Sequence, residues 1–174
     1  MAASAGARTG GRALGRDVCV IQDTSEIAVG GAKAGRCGFG PVGRGGAVRG
    51  VLVHAAIAVD ATGGLLGLVD EEVWTRKGGV PVVNRRRPFV EKESHRWLRS
   101  CEQAAERLKG ARSITMVSDA ESDIYELFAG LPQGLQILVR VARDRRLENG
   151  DMLSQSVENL TSAGTILRTI PAAP

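Results

Sequence analysis

The sequence predicts an α/β chain in which one mixed sheet carries helices against it, with elements in the order β-β-β-α-β-α-β. Three observations predict this. Apolar, β-prone runs without a helical period recur from Val18 to Ile21, Val51 to Val59, Ile114 to Val117 and Leu135 to Val141. Two later stretches change to the three-and-four spacing of an amphipathic helix, one through Trp97, Leu98, Cys101, Ala104, Ala105 and Leu108, the other through Ile124, Leu127 and Phe128. The length of 174 residues suits one domain with a proper core, and with aromatics at only 3% that core must be built from Val, Leu, Ile and Ala.

Residues 1–17 are expected to form a disordered basic leader, because Met1 to Arg16 is mostly Ala, Gly, Ser and Arg with only Leu14 as an anchor. Arg8, Arg12 and Arg16 are expected to be solvated there. The first strand runs from Val18 to Gln22, which ends it, and Asp23 follows with Thr24 and Ser25. From Gly30 to Gly50 the glycine density argues for a long loop carrying Lys33, Arg36, Arg44 and Arg49. That loop lacks the GxxxxGK(S/T) pattern and does not lead into a helix, so a substrate-facing flap fits it better than a phosphate loop.

Val51 to Val59, the turn from Asp60 to Gly64, and Leu65 to Val69 read as a β-hairpin that forms an antiparallel meander with the first strand. His54 lies inside it and reads as a satisfied core residue. Glu71 to Pro88, with Trp74, Arg76, Lys77 and Arg85 to Arg87, reads as a polar connection. The helix from Glu91 to Leu108 is stopped by Gly110, and His95 should be exposed on it.

The strand Ile114 to Val117 stops at Ser118 and Asp119, and Asp119, Glu121 and Asp123 crowd the start of the next helix, where capping and the helix dipole favour negative charge. Gly130, Leu131 and Pro132 close that segment. After Leu135 to Val141, residues Arg140, Arg143, Arg145 and Arg146 make a basic exit toward the edge that carries Asp119. Residues 151–174 read as weak strand or loop around Val157, Leu160, Ile166 and Ile170.

The charge of +4 is compatible with a phosphate-rich partner and does not demand one. Cys19, Cys37 and Cys101 are odd in number and share no metal spacing, so they are expected to be reduced thiols of a cytoplasmic protein without a zinc site. No apolar run of about 18 residues and no signal peptide is apparent, so neither a membrane span nor secretion is expected.

Two strands thus each deliver a carboxylate at the same end, Asp23 and Asp119. If they are neighbours, the pair can share a Mg²⁺ ion, which is usually held by one or two carboxylates plus phosphate oxygens. The plainer alternative is that Asp23 starts a turn and Asp119 caps a helix.

The order of elements is that of the beginning of an RNase H-like mixed sheet, whose first and fourth strands are neighbours. DTSEI at Asp23, GFGPVG at Gly38, the hairpin VHAAIAVDATGGLLGLVDEEVWTR, EKESHRWL at Glu91, SDAESDIYELF at Ser118 and LVRVARDRRLENG at Leu138 together resemble bacterial insertion-sequence transposases of the DDE class, in the Tn-five-like group. The resemblance covers about residues 18–150 and implies a partial RNase H-like catalytic domain, with 151–174 as the start of an insertion region or a frayed tail. It implies metal-dependent DNA strand cleavage and transfer in DNA transposition, with Mg²⁺ (or Mn²⁺) held by two aspartates and a glutamate. Asp23 matches the first aspartate and Asp119 the second; Arg140 and Arg143 match the region that contacts DNA. Transposon-end DNA is the implied partner, and a homodimer or a pair with an intact relative is the implied assembly.

The sequence departs from the family at the third carboxylate. The family carries it on a C-terminal helix in a Y-x2-R-x3-E-x6-K pattern, and Glu148, Glu158 and the other late acids stand in no such pattern. Ala120 stands where many relatives have arginine. The chain is therefore expected to be an incomplete, truncated copy with weak metal binding, no catalysis and one uncovered sheet face. The alternative is a non-catalytic DNA-binding remnant. A haloacid-dehalogenase-like phosphatase using Asp23 with Asp119 and Asp123 needs an acid two residues after Asp23, where Ser25 stands.

Overall fold

The computed structural model describes residues 2–30, 38–76 and 87–161. Lys33, Arg36, Cys37, Lys77, Arg85, Arg86, Ile166 and Ile170 lie outside them. The chain divides into two units, Met1–Val141 and Ala142–Pro174.

The first unit is mixed α/β. Its elements are α1 (Ala2–Ala13), β1 (Asp17–Ala28), β2 (Gly40–Val42), β3 (Val48–Asp60), β4 (Leu65–Trp74), α2 (His95–Arg107), β5 (Ser113–Ser118), α3 (Tyr125–Gly130) and β6 (Leu135–Val139). The strand order is β2-β3-β1-β5-β6, with β4 also paired to β3. The pairs β1–β3, β2–β3 and β3–β4 are antiparallel, while β1–β5 and β5–β6 are parallel.

Alternation decides which face is covered. Val18, Val20 and Gln22 of β1, Leu52, His54, Ala56 and Ala58 of β3, and Ile114, Met116 and Ser118 of β5 are buried. Against that face α2 presents Trp97, Cys101 and Ala104 with Leu108 just beyond, and α3 adds Leu127. The other face keeps apolar side chains in contact with water, Ile21, Ile57 and Leu138 among them. Each such side chain forgoes the stabilisation of burial, about 25 cal/mol per Å².

The expected disordered leader is instead a helix. Its glycines lower helix propensity, yet they permit close packing: a Cβ on Gly10 would stand 2.3 Å from the Arg107 carbonyl oxygen, and one on Gly6 3.0 Å from that of Val69. The Thr9 hydroxyl donates to the Leu68 carbonyl at 2.7 Å, and Arg12 donates to that of Leu66 at 2.9 Å. Those carbonyls belong to β4, whose register against β3 shifts twice. Arg16, expected to be solvated, pairs with Asp60 at 2.9 Å.

Other boundaries also move. The Gly30 to Gly50 stretch is not all loop: Gly40–Val42 pairs with Val48 to Gly50, and β3 begins three residues before Val51. Gly50 is required by that crossing, since a Cβ there would lie 2.2 Å from the Ile27 carbonyl oxygen. Trp74 ends a strand rather than sitting in a loop. The helix expected from Glu91 begins at His95, behind a 3₁₀ turn at Phe89–Glu91, and His95 is half-buried with its ring edge-on to Phe89. The helix expected after Asp119 is split into a 3₁₀ turn, Ala120–Ser122, and the short α3.

In the second unit a turn at Gly150 brings Met152 opposite Arg146 in an isolated antiparallel bridge, and α4 (Leu153–Glu158) follows. This corrects the expectation of weak strand or loop there. Asp144 accepts from the Ser154 amide at 3.0 Å and hydroxyl at 2.7 Å, and the Ser154 hydroxyl bond leads the effects that lower the Asp144 pKa. Arg143 belongs to this unit and is exposed.

Candidate metal and nucleic-acid site

Pairing between β1 and β5 runs in parallel register from Asp17↔Ser113 to Ile21↔Val117. Continued by two residues, that register sets Asp23 level with Asp119, which has extended backbone (φ −83°, ψ −171°). Neighbouring strands lie about 4.8 Å apart where they are paired, and this ladder ends at Ile21 and Val117. Alternation puts both on the face of Ile21 and Val117, opposite buried Gln22 and Ser118.

The expectation that the first strand ends at Gln22 is corrected. Its pairing with β5 ends at Ile21; β1 itself continues to Ala28 because β3 stays beside it, with Asp23 opposite Ala55. Asp23 is therefore held in a ladder rather than free on a turn. The polar run Thr24, Ser25, Glu26 masks this continuation in the sequence, since its residues need no burial.

Each carboxylate makes one local bond. Asp23 Oδ1 accepts from the Thr24 amide at 2.7 Å, and Asp119 Oδ1 accepts from the Glu121 amide at 2.9 Å. Oδ2 of either residue has no hydrogen-bond partner among the described residues, so both are open to a ligand. Asp123, by contrast, is buried. Among the described residues no group of three or more His, Cys, Asp or Glu side chains gathers at metal-binding distance. Carboxylates are hard oxygen donors of the kind that Mg²⁺ or Mn²⁺ takes, and two of them are fewer protein ligands than a tightly held ion has.

Arg140 follows β6 directly, and its amide donates to the Ser118 carbonyl at 3.3 Å. Its exposed side chain thus springs from the same sheet edge as Asp119. Arg143, the other expected DNA contact, lies in the second unit.

Beneath the edge lies His54, with buried polar partners that the sequence did not disclose. His54 is 1% exposed, with Nδ1 2.9 Å from Thr24 Oγ1 and Nε2 3.4 Å from Gln22 Oε1. Arg96 Nε donates to the same Thr24 oxygen at 2.7 Å. Gln22 Oε1 can only accept, so the neutral ring carries its proton on Nε2 and accepts the Thr24 hydroxyl proton at Nδ1. Burial, then the nearby charges of Arg96 and Arg99, lower the His54 pKa from 6.5 to about 4. The ring packs edge-on to Trp97 at 4.7 Å between centroids. His54 is thus a satisfied core residue, as its apolar strand suggests.

Alongside, a cleft of about 270 Å³ opens between the end of β4 and the start of α2, lined in part by Glu72, Trp74, Glu93, Arg96 and Arg99. Its charges are mutually paired: Arg99 meets Asp70 and Glu72, and Arg76 meets Glu93 and Glu26. No helix among the described residues is long and apolar enough to cross a membrane. Cys19 and Cys101 are free thiols.

Comparison with protein-family models and with curated proteins gave no match to this chain.

Proposed function

We propose that the chain carries part of the catalytic domain of a DDE-type insertion-sequence transposase on an RNase H-like sheet, with Asp23 and Asp119 sharing one divalent cation and Arg140 contacting the DNA backbone. The observation that supports the reading is the parallel β1–β5 register, which makes Ile21 and Val117 partners, two residues before Asp23 and Asp119. The string of motifs from DTSEI to LVRVARDRRLENG supports it.

In this reading Asp23 and Asp119 orient the cation, and Arg140 holds a phosphate beside it. When bound, Mg²⁺ or Mn²⁺ stabilises the attacking and leaving oxygens of an in-line phosphoryl displacement. No acid of this sequence stands in the third carboxylate's pattern, so the cation is held weakly and the chain alone binds DNA without cutting it efficiently. A second reading, a non-catalytic DNA-binding remnant, is favoured by the lack of a three-ligand cluster among the described residues.

One pair of assays separates the two readings. Mn²⁺ titration should detect weak binding that Asp23→Asn and Asp119→Asn each abolish, while DNA binding falls steeply with salt and Arg140→Ala reduces the salt slope by about one. Salt-sensitive DNA binding without any aspartate-dependent Mn²⁺ binding would leave the remnant reading. Neither activity would remove both.

A further inference from the structure

Arg96 makes contacts that join the two acidic tips. Nε donates to Thr24 Oγ1 at 2.7 Å, Nη2 to Glu121 Oε2 at 3.2 Å, and Nη1 to the Glu93 carbonyl at 2.8 Å. Thr24 is the residue after Asp23, and its amide holds the Asp23 carboxylate. Glu121 supplies the amide that holds Asp119. A single guanidinium therefore touches both residues whose backbones fix the two aspartates. It is itself immobilised, with its Cζ 5.6 Å from the Trp74 ring and 5.1 Å from the Trp97 ring and its side chain only 11% exposed. The planar fork of arginine suits such a double contact, which one ammonium cannot make at both ends.

We propose that Arg96 is a positioning residue, a strut from α2 that sets the spacing of Asp23 and Asp119 and so the geometry offered to a divalent cation. Its use of that spacing rests on the cation reading given above. Electrostatics makes the idea sharp. Removing a positive charge near two carboxylates should by itself tighten cation binding, whereas loss of a strut should weaken it.

The test uses the full chain and Arg96→Gln, Arg96→Lys and Glu121→Gln, with Mn²⁺ titration and amide hydrogen exchange. Expected results are Mn²⁺ affinity at least tenfold weaker in Arg96→Gln, no rescue by Arg96→Lys, and exchange at least tenfold faster at Glu121 and Ser122 with Val20 and Met116 unchanged. Glu121→Gln cuts one arm from an exposed position, keeps the fold, and should give a smaller loss of the same kind. Unchanged or tighter Mn²⁺ binding in Arg96→Gln overturns the strut, as does acceleration of exchange spread evenly through β1 and β5. If the native chain binds no Mn²⁺ yet Arg96→Gln loosens only Glu121 and Ser122, the strut stands and the cation reading falls.

Discussion

Lowering the pH from 7.5 toward 4 should destabilise this protein through His54. In the folded chain the imidazole is buried under α2, accepts from Thr24 and faces Arg96 and Arg99, and its pKa falls from 6.5 to about 4. The unfolded chain, with the ordinary value, takes up a proton first, so the unfolded state binds more protons below pH 6.5. The associated stability is complete above pH 6.5, declines as the pH falls, and is gone near pH 4. A difference of that size corresponds to about 3 kcal/mol at 1.36 kcal/mol per pH unit, an order-of-magnitude figure. Urea unfolding of the native chain and of His54→Gln, which cannot titrate, should therefore show a gap in stability that shrinks by about that amount between pH 7.5 and pH 4. A gap independent of pH would refute the reasoning, as would an imidazole that titrates near 6.5 by NMR in the folded protein.

Gly10→Ala should destabilise the first unit by about 1–3 kcal/mol, because its Cβ meets the Arg107 carbonyl at 2.3 Å, while Gly11→Ala, with open space around it, should not; thermal melts compare them. Native Cys101 should resist thiol reagents that label exposed Cys19, since burial raises its pKa to about 11, and should react only as the chain unfolds; peptide mapping reads the order. Asp119→Asn should leave the sheet intact by circular dichroism, because its Oδ1 can still accept from Glu121, while removing the Mn²⁺ binding proposed above; binding retained at native affinity would move the cation elsewhere.

What was legible in the sequence is what periodicity and abrupt polarity reveal. The run ending at Ser118-Asp119 gives β5 nearly at its observed limits, and the stripe of Trp97, Cys101, Ala104 and Leu108 gives the buried face and C-terminal end of α2, whose start lies four residues later than expected. The N-terminal helix was not legible, because the glycines that weaken a helix in isolation are here the contact surface against Arg107 and Val69. The continuation of β1 was hidden because residues past Gln22 alternate little in polarity, and β2 was hidden by glycines around it. Both aspartates could be singled out, yet that their strands are neighbours is something no local pattern encodes. Arg96 was beyond reach for the same reason: its partners Thr24 and Glu121 lie 72 and 25 residues away.

The docking of α1 on β4 also decides how the molecule meets its own copies. A strand at the margin of a sheet offers unpaired carbonyls to any passing chain, and proteins guard such margins against aggregation by covering them. Here Thr9, Arg12 and Arg107 cover the carbonyls of Leu68, Leu66 and Val69. Versions of the chain shortened past Ala13, or carrying a fusion that pulls this helix away, would bare that margin to strand-to-strand self-association.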